Sequence, residues 1–220
     1  MAKVVIFGAG KAAQMMRVYL ERESDHEVAG FTVDPEYAGA NSYDGLPLVP
    51  WNSIEQKFSP EEYEILGPVS YARVNRLRQE RHQEAKARGY KLASFIHPDA
   101  HVYADLIGEG CVILEQSVIQ PCTEIGDGVV IWSSCWVAHH AIIGDYCFLS
   151  GQVAIAGATK VGARCYLGAQ TGAGHGVDIG EGSVLLNSGM LMHSVPPESV
   201  VRGARAEVTK IPSSRLNRLL

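Results

Sequence analysis

The sequence predicts a Rossmann-like α/β half domain followed by a left-handed parallel β-helix of hexapeptide repeats, and three observations predict it. An apolar residue recurs at every sixth position from Ile107 to Leu191 without an insertion, as in Ile113, Ile119, Ile125, Ile131, Val137 and Ile143. Every third member of the series is followed by glycine, at Gly108, Gly126, Gly144, Gly162 and Gly180, so a period of six lies inside a period of eighteen. Ahead of the repeat, Lys3 to Asp34 runs strand, glycine turn, helix, strand, acid, the order of a nucleotide-binding βαβ unit.

Lys3 to Phe7 reads as a buried parallel strand, Gly8 to Ala13 as the glycine turn, and the next stretch as a helix through about Arg22. Gly8, Gly10 and Ala13 fit the G-x-G-x-x-G/A form, a short pattern that specifies little on its own. Glycines there let the backbone approach a phosphate, and the helix N-terminus supplies free N–H groups. Glu27 to Val33 reads as a second strand, with Asp34 at its tip placed for ribose hydroxyls. Asn41 to Lys57, carrying Gly45, Pro47 and Pro50, reads as a loop, either folded over a ligand or a surface excursion. Glu64 to Gly67 is a third strand that leads through Pro68 to a charged helix from about Ala72 to Arg88, and Lys91 to Ile96 is a fourth strand. One mononucleotide-sized half fills this region, not the two halves of a full dinucleotide site.

A period of six suits short parallel strands that turn a corner every six residues, three corners closing one coil. The position two before each apolar member is mostly small (Cys111, Ser117, Thr123, Val129, Cys135, Ala141, Cys147), as a narrow interior requires. Four of the five cysteines (Cys111, Cys135, Cys147, Cys165) occupy that inward position and read as reduced core residues, while Cys122 falls outside the register and takes no role. His97-Pro98-Asp99-Ala100 joins the two parts, giving an α/β domain over 1–97, a β-helix over 98–208 and a helical tail over 209–220. The prism itself is expected from about Val102 to Val195, ended by Pro196-Pro197, with a last irregular strand over 200–208 and a short helix over 212–220 capping its open strand edges.

A net charge of −5 with no long basic run argues against nucleic acid or an anionic membrane as partner. No apolar stretch reaches the length of a membrane span, and the N-terminus opens on a strand pattern instead of a signal peptide, so the expected compartment is the cytoplasm.

Residues eighteen apart stack in one column, and one column reads Tyr103, Pro121, His139, Gly157, His175, His193. At about 4.8 Å per coil, His139 and His175 are separated by twice that spacing, which isolates His139 from its column partners. A metal site would need several side chains about 2 Å from one ion, and the gap at Gly157 makes that awkward, so no metal is expected. A general base needs one histidine beside a groove, and the bare backbone at Gly157 gives a substrate carbonyl room to reach an N–H group. Plain surface histidines at turns fit the same spacing.

The short glycine-turn domain, the junction Phe95-Ile96-His97-Pro98 and the uninterrupted repeat together resemble the NeuD/PglD family of sugar acyltransferases over essentially the whole chain. The resemblance implies a homotrimer that moves an acetyl group from acetyl-CoA, in many cases to the amine of a nucleotide-linked amino sugar. It implies His139, at the head of His139-His140-Ala141-Ile142-Ile143-Gly144-Asp145, as the general base. The family usually has a carboxylate directly after that histidine, where this chain has His140, so His140, Asp145, Glu124 or a residue of a neighbouring subunit is left to orient His139. Phe148 stands where some members carry a second histidine and suits an aromatic wall near the pantetheine. Gly157 resembles the glycine whose N–H holds the thioester carbonyl, and Ala156, Gly174 and His175 fall along the CoA path. Gly203 matches a closing glycine, and Arg205 replaces an expected proline and is placed for a CoA phosphate. Gly8, Gly10, Asp34 and Gly67 match nucleotide-contacting positions; Lys11, in place of the usual glycine, is placed for the diphosphate, and Trp132 is counted with the substrate contacts.

The function so implied is acetyl-CoA-dependent N-acetylation of a nucleotide-linked amino sugar in glycan precursor synthesis. Two rivals keep the same fold: a sugar O-acetyltransferase and a non-catalytic trimeric nucleotide-binding scaffold. A nicotinamide dehydrogenase is disfavoured because one βαβ half leaves no place for the second nucleotide.

Overall fold

The computed structural model describes residues 2–204, 206 and 208. The N-terminal domain is built on β1 (Lys3–Phe7), α1 (Lys11–Glu23), β2 (Glu27–Val33), β3 (Ser42–Tyr43), β4 (Leu46–Pro50), β5 (Tyr63–Leu66), α2 (Arg76–Ala87) and β6 (Lys91–Leu92). Its sheet has the order β3-β4-β2-β1-β5-β6, parallel throughout except for β3 against β4. Val4 to Phe7 are all buried, as expected of a central strand covered on both faces. Ala13, Met16 and Leu20, spaced three and four apart, turn the apolar stripe of α1 onto the sheet.

Three expectations change. The Asn41 to Lys57 loop contains β3 and β4, which extend the sheet beyond β2; Pro47 and Pro50 are tolerated there because β4 lies near the edge. The charged helix starts at Arg76, not Ala72, because Arg73, Val74 and Asn75 all have left-handed φ between 51° and 64°. The strand read over Lys91 to Ile96 is two: Lys91–Leu92 completes the α/β sheet, while Phe95–Ile96 pairs with Val112–Ile113 as the first rung of the prism.

The prism therefore begins at Phe95 and runs to Val200–Val201, a longer span than 102–195. It is a left-handed parallel β-helix whose three faces carry seven, six and five strands; strands pair with the segment eighteen positions on through the body of the prism, seventeen on at Phe95 and His101, and sixteen on at the last rung, Val184 to Val200. The first face runs from Phe95–Ile96 through Phe148–Leu149, the second from His101–Val102 through Trp136–Val137, and the third from Leu106–Ile107 through Ile142–Ile143. The six-residue series fills the interior with the small residues beside it, and Cys111, Cys135, Cys147 and Cys165 are buried there, while Cys122 is exposed. The glycine of each eighteen-residue repeat sits where coils nearly touch: a Cβ on Gly126 would fall 2.7 Å from the Asp145 backbone N. Among the described residues the last strand is Val200–Val201, and the expected tail helix over 209–220 lies outside them.

The α/β domain is fastened to the first face and to the corner between the third and first faces. Its α1 side shares one apolar cluster with Phe95, Val112, Val130 and Phe148 of the prism. Arg78, 1% exposed, donates Nε–H to Gly128 O at 2.7 Å and an Nη2–H to Tyr146 O at 2.6 Å, and reaches Ser70 O through Nη1. Burial pushes its pKa down to about 10, which leaves it a cation at neutral pH. Asn75 Nδ2 donates to Arg164 O and Cys165 O at 3.1 and 3.0 Å.

Candidate active site

Two places collect the residues singled out by sequence, and they lie on opposite edges of one chain. The first is the corner between the second and third faces, where each coil turns through a residue of left-handed φ. His140 is one such residue, with φ 60°, as are Cys122 below it and Ala158 above. That turn swings the His140 ring back toward its neighbour, and the two Nδ1 atoms stand 3.1 Å apart with ring planes at 86°. Among the expected orienting partners, His140 is thus the one in contact. Asp145 is committed elsewhere, its Oδ1 accepting the Asp127 N–H at 2.9 Å, and Glu124 projects from the third face with no ion pair among the described residues.

His139 is exposed and its backbone N–H donates to Gln120 Oε1 at 2.9 Å. Its ring lies across Gly157: a Cβ there would sit 2.7 Å from Cε1 and 2.9 Å from Nε2. The imidazole itself therefore fills the room expected above Gly157. The same tilt corrects the expected isolation of His139, since its ring centroid is 6.4 Å from that of His175. The Gly157 N–H, outside any strand, has no backbone or side-chain partner among the described residues. No group of three or more His, Cys, Asp or Glu able to hold a metal ion occurs among the described residues. Ala156 and Gly174 flank this corner at the ends of second-face strands, with Gly174 in contact with Met192. Gly203 packs so tightly that a Cβ would lie 2.4 Å from Ser188 O; Arg205 lies outside the described residues.

Phe148 and Trp132 are not at this corner. Phe148 is 3% exposed inside the interdomain cluster, stacked on Tyr166 at 5.8 Å and tilted against Trp132 at 6.1 Å. Its side chain points out of the first face, which the α/β domain covers, so it forms no wall beside His139 in the same chain.

The second place is a cavity of about 380 Å³ between the glycine turn and the segment after β5, lined by Gly8, Gly10, Lys11, Ala12, Pro68 and Tyr71 among others. Gly8 has φ 133°, and Gly10 caps α1 with no side-chain hydrogen bond and no acid in the first helical turn, which leaves the helix N–H groups facing the cavity. Gly67, with φ 83°, brings the chain so close that a Cβ would meet Val69 N at 2.8 Å. Asp34 ends β2 but is held by Arg81, Nη2 to Oδ1 at 2.8 Å, with both side chains less than a fifth exposed. Sequence reasoning did not reach Tyr71, Arg78 or Arg81; the motif that found the turn has no counterpart after β5.

A β-helix of hexapeptide coils with an exposed imidazole on one edge is an arrangement suited to acyl transfer. A family model described as bacterial transferase hexapeptide (six repeats) matches residues 106–139. PerB from Caulobacter crescentus, solved in complex with CoA and GDP-perosamine, is 27% identical, with 95% of this chain and 98% of that chain covered and a TM-score of 0.80. A histidine-to-asparagine mutant of perosamine N-acetyltransferase from the same organism, again with CoA and GDP-perosamine, is 26% identical over 95% of this chain and 97% of that chain, TM-score 0.82. The acetyltransferase domain of PglB from Neisseria gonorrhoeae in complex with acetyl coenzyme A shares the fold at 24% identity, covering 91% and 96% of the two chains with a TM-score of 0.78. No curated protein matches the chain in sequence. The chain is similar to hexapeptide-repeat sugar acetyltransferases over nearly its whole length, and it is an acyltransferase. No helix among the described residues is long and apolar enough to cross a membrane.

Proposed function

We propose that the protein transfers an acetyl group from acetyl-CoA to the amine of a nucleotide-linked amino sugar. The observation that carries this reading is likeness along 95% of the chain, at 26–27% identity, to N-acetyltransferases solved with CoA and GDP-perosamine.

In this reading His139 is the general base. The facing Nδ1 atoms of His139 and His140 are close enough to share one proton; carried by His139, that proton would leave His139 Nε2 with a free lone pair. The sugar amine attacks the thioester carbonyl carbon, its proton passes to His139 Nε2, and the developing oxyanion meets the Gly157 N–H. The C–S bond then breaks and the proton leaves with the CoA thiolate. His140 is the positioning residue, and Ala156, Gly174, His175 and Gly203 belong to the CoA path. The α/β cavity takes the nucleotide, with the diphosphate at the α1 N-terminus beside Gly8, Gly10 and Lys11, and Asp34 and Gly67 at its flanks.

The cavity opens on the first-face side of the prism and His139 stands on the opposite edge, so one chain does not bring the two together. A second copy does, and we assign the enzyme a trimeric state with sites between subunits. The second face supports this, since Trp136, Met190 and Met192 are 42%, 61% and 64% exposed there. The test is release of CoA thiol with UDP-, dTDP- and GDP-linked amino sugars. His139→Ala should lower turnover on the order of 100- to 10,000-fold with acetyl-CoA affinity kept, and unchanged turnover would remove the base assignment. Coexpressed His139→Ala and Lys11→Glu chains should recover activity that neither has alone; no recovery in verified mixed oligomers would refute the shared site.

A further inference from the structure

We infer that Tyr71 is a stacking platform for the sugar ring of the nucleotide-linked substrate, and so a specificity-determining residue; this rests on the nucleotide-sugar reading above.

Tyr71 lines the cavity, yet its side chain is 57% exposed. The ring does not project loosely. It lies edge-on to Phe148 at 5.3 Å and tilted against Tyr166 at 4.9 Å, two rings mounted on the first face of the prism. The backbone that presents it is held in an unfavourable shape. Arg73, Val74 and Asn75 follow with three successive left-handed conformations, which L-residues avoid and a β-branched valine resists most. That run persists because its flanks are anchored: Arg78, itself bonded to the prism carbonyls of Gly128 and Tyr146, donates to the Ser70 carbonyl, and the fully buried Asn75 donates to Arg164 O and Cys165 O. Backbone strain held by buried polar anchors, with an aromatic ring left exposed at its apex, marks a segment kept for contact with a ligand.

Topology identifies which part of the ligand. In the sheet, β2 lies on one side of β1 and β5 on the other. A diphosphate on the turn after β1 sends its ribose toward Asp34 at the end of β2, so the group beyond the second phosphate leaves over the segment after β5. That group is the sugar, and Tyr71 is the ring it meets on the way toward the prism. A pyranose lays its C–H face on an aromatic ring, and an ammonium substituent gains from the same π surface.

The experiment is calorimetric titration of wild type, Tyr71→Ala and Tyr71→Phe with UDP, dTDP and GDP, and with their 4-amino-sugar conjugates. Tyr71→Ala should bind the free diphosphates within twofold of wild type and the matching conjugate about fivefold to tenfold more weakly, while Tyr71→Phe behaves as wild type. Equal weakening of diphosphate and conjugate would assign Tyr71 to the nucleotide or to the fold; loss in Tyr71→Phe would assign the effect to its hydroxyl; no change in Tyr71→Ala would remove the platform. Each of these overturns the inference while leaving acetyl transfer intact. Wild type that binds no diphosphate at all would instead overturn the nucleotide reading, and the platform with it.

Discussion

Gly157→Ala tests the geometry of the catalytic corner with a single methyl group. Gly157 is not among the residues of left-handed φ, so alanine meets no backbone penalty, and Gly→Ala at a compatible position stabilises by about 0.4–1 kcal/mol through the unfolded chain. The steric cost falls first on the His139 ring, because the three nearest atoms to the new Cβ are Cε1, Nε2 and Nδ1 of that ring at 2.7, 2.9 and 3.2 Å. To regain ordinary contact near 3.4 Å the ring must retreat by about 0.7 Å. His139 is exposed and can swing outward, so the melting temperature should stay within a few degrees of wild type. The swing parts the Nδ1 atoms that now stand 3.1 Å apart and displaces Nε2 from the attacking amine. Misplacement on this scale costs on the order of 10- to 100-fold in kcat. In a His139→Ala background the same methyl should cost almost nothing, since the atoms it strikes are gone. Steady-state kinetics of the four chains read this coupling. Wild-type kcat in Gly157→Ala would refute it, as would an equal loss in both backgrounds, which would put the methyl in the path of the thioester instead of against the base.

His140→Asp restores a carboxylate at a left-handed corner that aspartate tolerates; it should move the acidic limb of the kcat/KM profile to higher pH, by favouring protonated His139, whereas His140→Ala should lower kcat about tenfold, and superimposable profiles would remove His140 from the mechanism. Burial, followed by the Arg78 guanidinium, pushes the His82 imidazole down to about 3, and Lys86 adds to the same direction. The unfolded chain takes that proton near 6.5, so stability is fully present above 6.5 and falls as pH drops toward 3, by up to about 1.4 kcal/mol per pH unit; urea melts of His82→Leu should lose that share of the slope, and an unchanged slope would reject it. Cys111, Cys135, Cys147 and Cys165 are buried in the prism, and burial also raises the Cys111 and Cys135 thiols to about 11, so at most one thiol per native chain, Cys122, should react quickly with an aromatic disulfide reagent at neutral pH; a second fast thiol would contradict the inward placement of the others.

The prism was legible because an eighteen-residue coil makes each side chain's surroundings a function of its position alone. That arithmetic located the inward cysteines, the glycines pressed between coils and the histidine column. It failed where side chains leave their rung: the ring of His139 tilts over Gly157 toward His175, and a Cα map cannot show a tilt. In the α/β domain the alternation of strand and helix was legible, but Pro47 and Pro50 concealed β4, whose position near the sheet edge lets it include prolines. Phe148 was assigned by correspondence to a family histidine, yet its face of the prism is decided by the domain that packs on it, which periodicity within the repeat does not carry. The left-handed run at Arg73 to Asn75 had no glycine to announce it; buried Asn75 and Arg78 hold it through bonds to backbone atoms 50 or more positions away or on the loop itself.

These misses share a cause with the proposed mechanism. Arg78, Asn75 and the apolar cluster around Phe148 fix the α/β domain rigidly on the first face, and that rigidity denies its cavity any route to the His139 of the same chain. A flexible linker would let one chain serve itself at the cost of ordering both partners in each turnover. A fixed domain presents Tyr71 and the diphosphate turn in one geometry, and in the proposed trimer that geometry would reach a neighbouring His139 without a conformational search. Loosening the clamp, as in Arg78→Met, should therefore harm turnover of the assembled enzyme more than it harms binding of either acetyl-CoA or nucleotide alone.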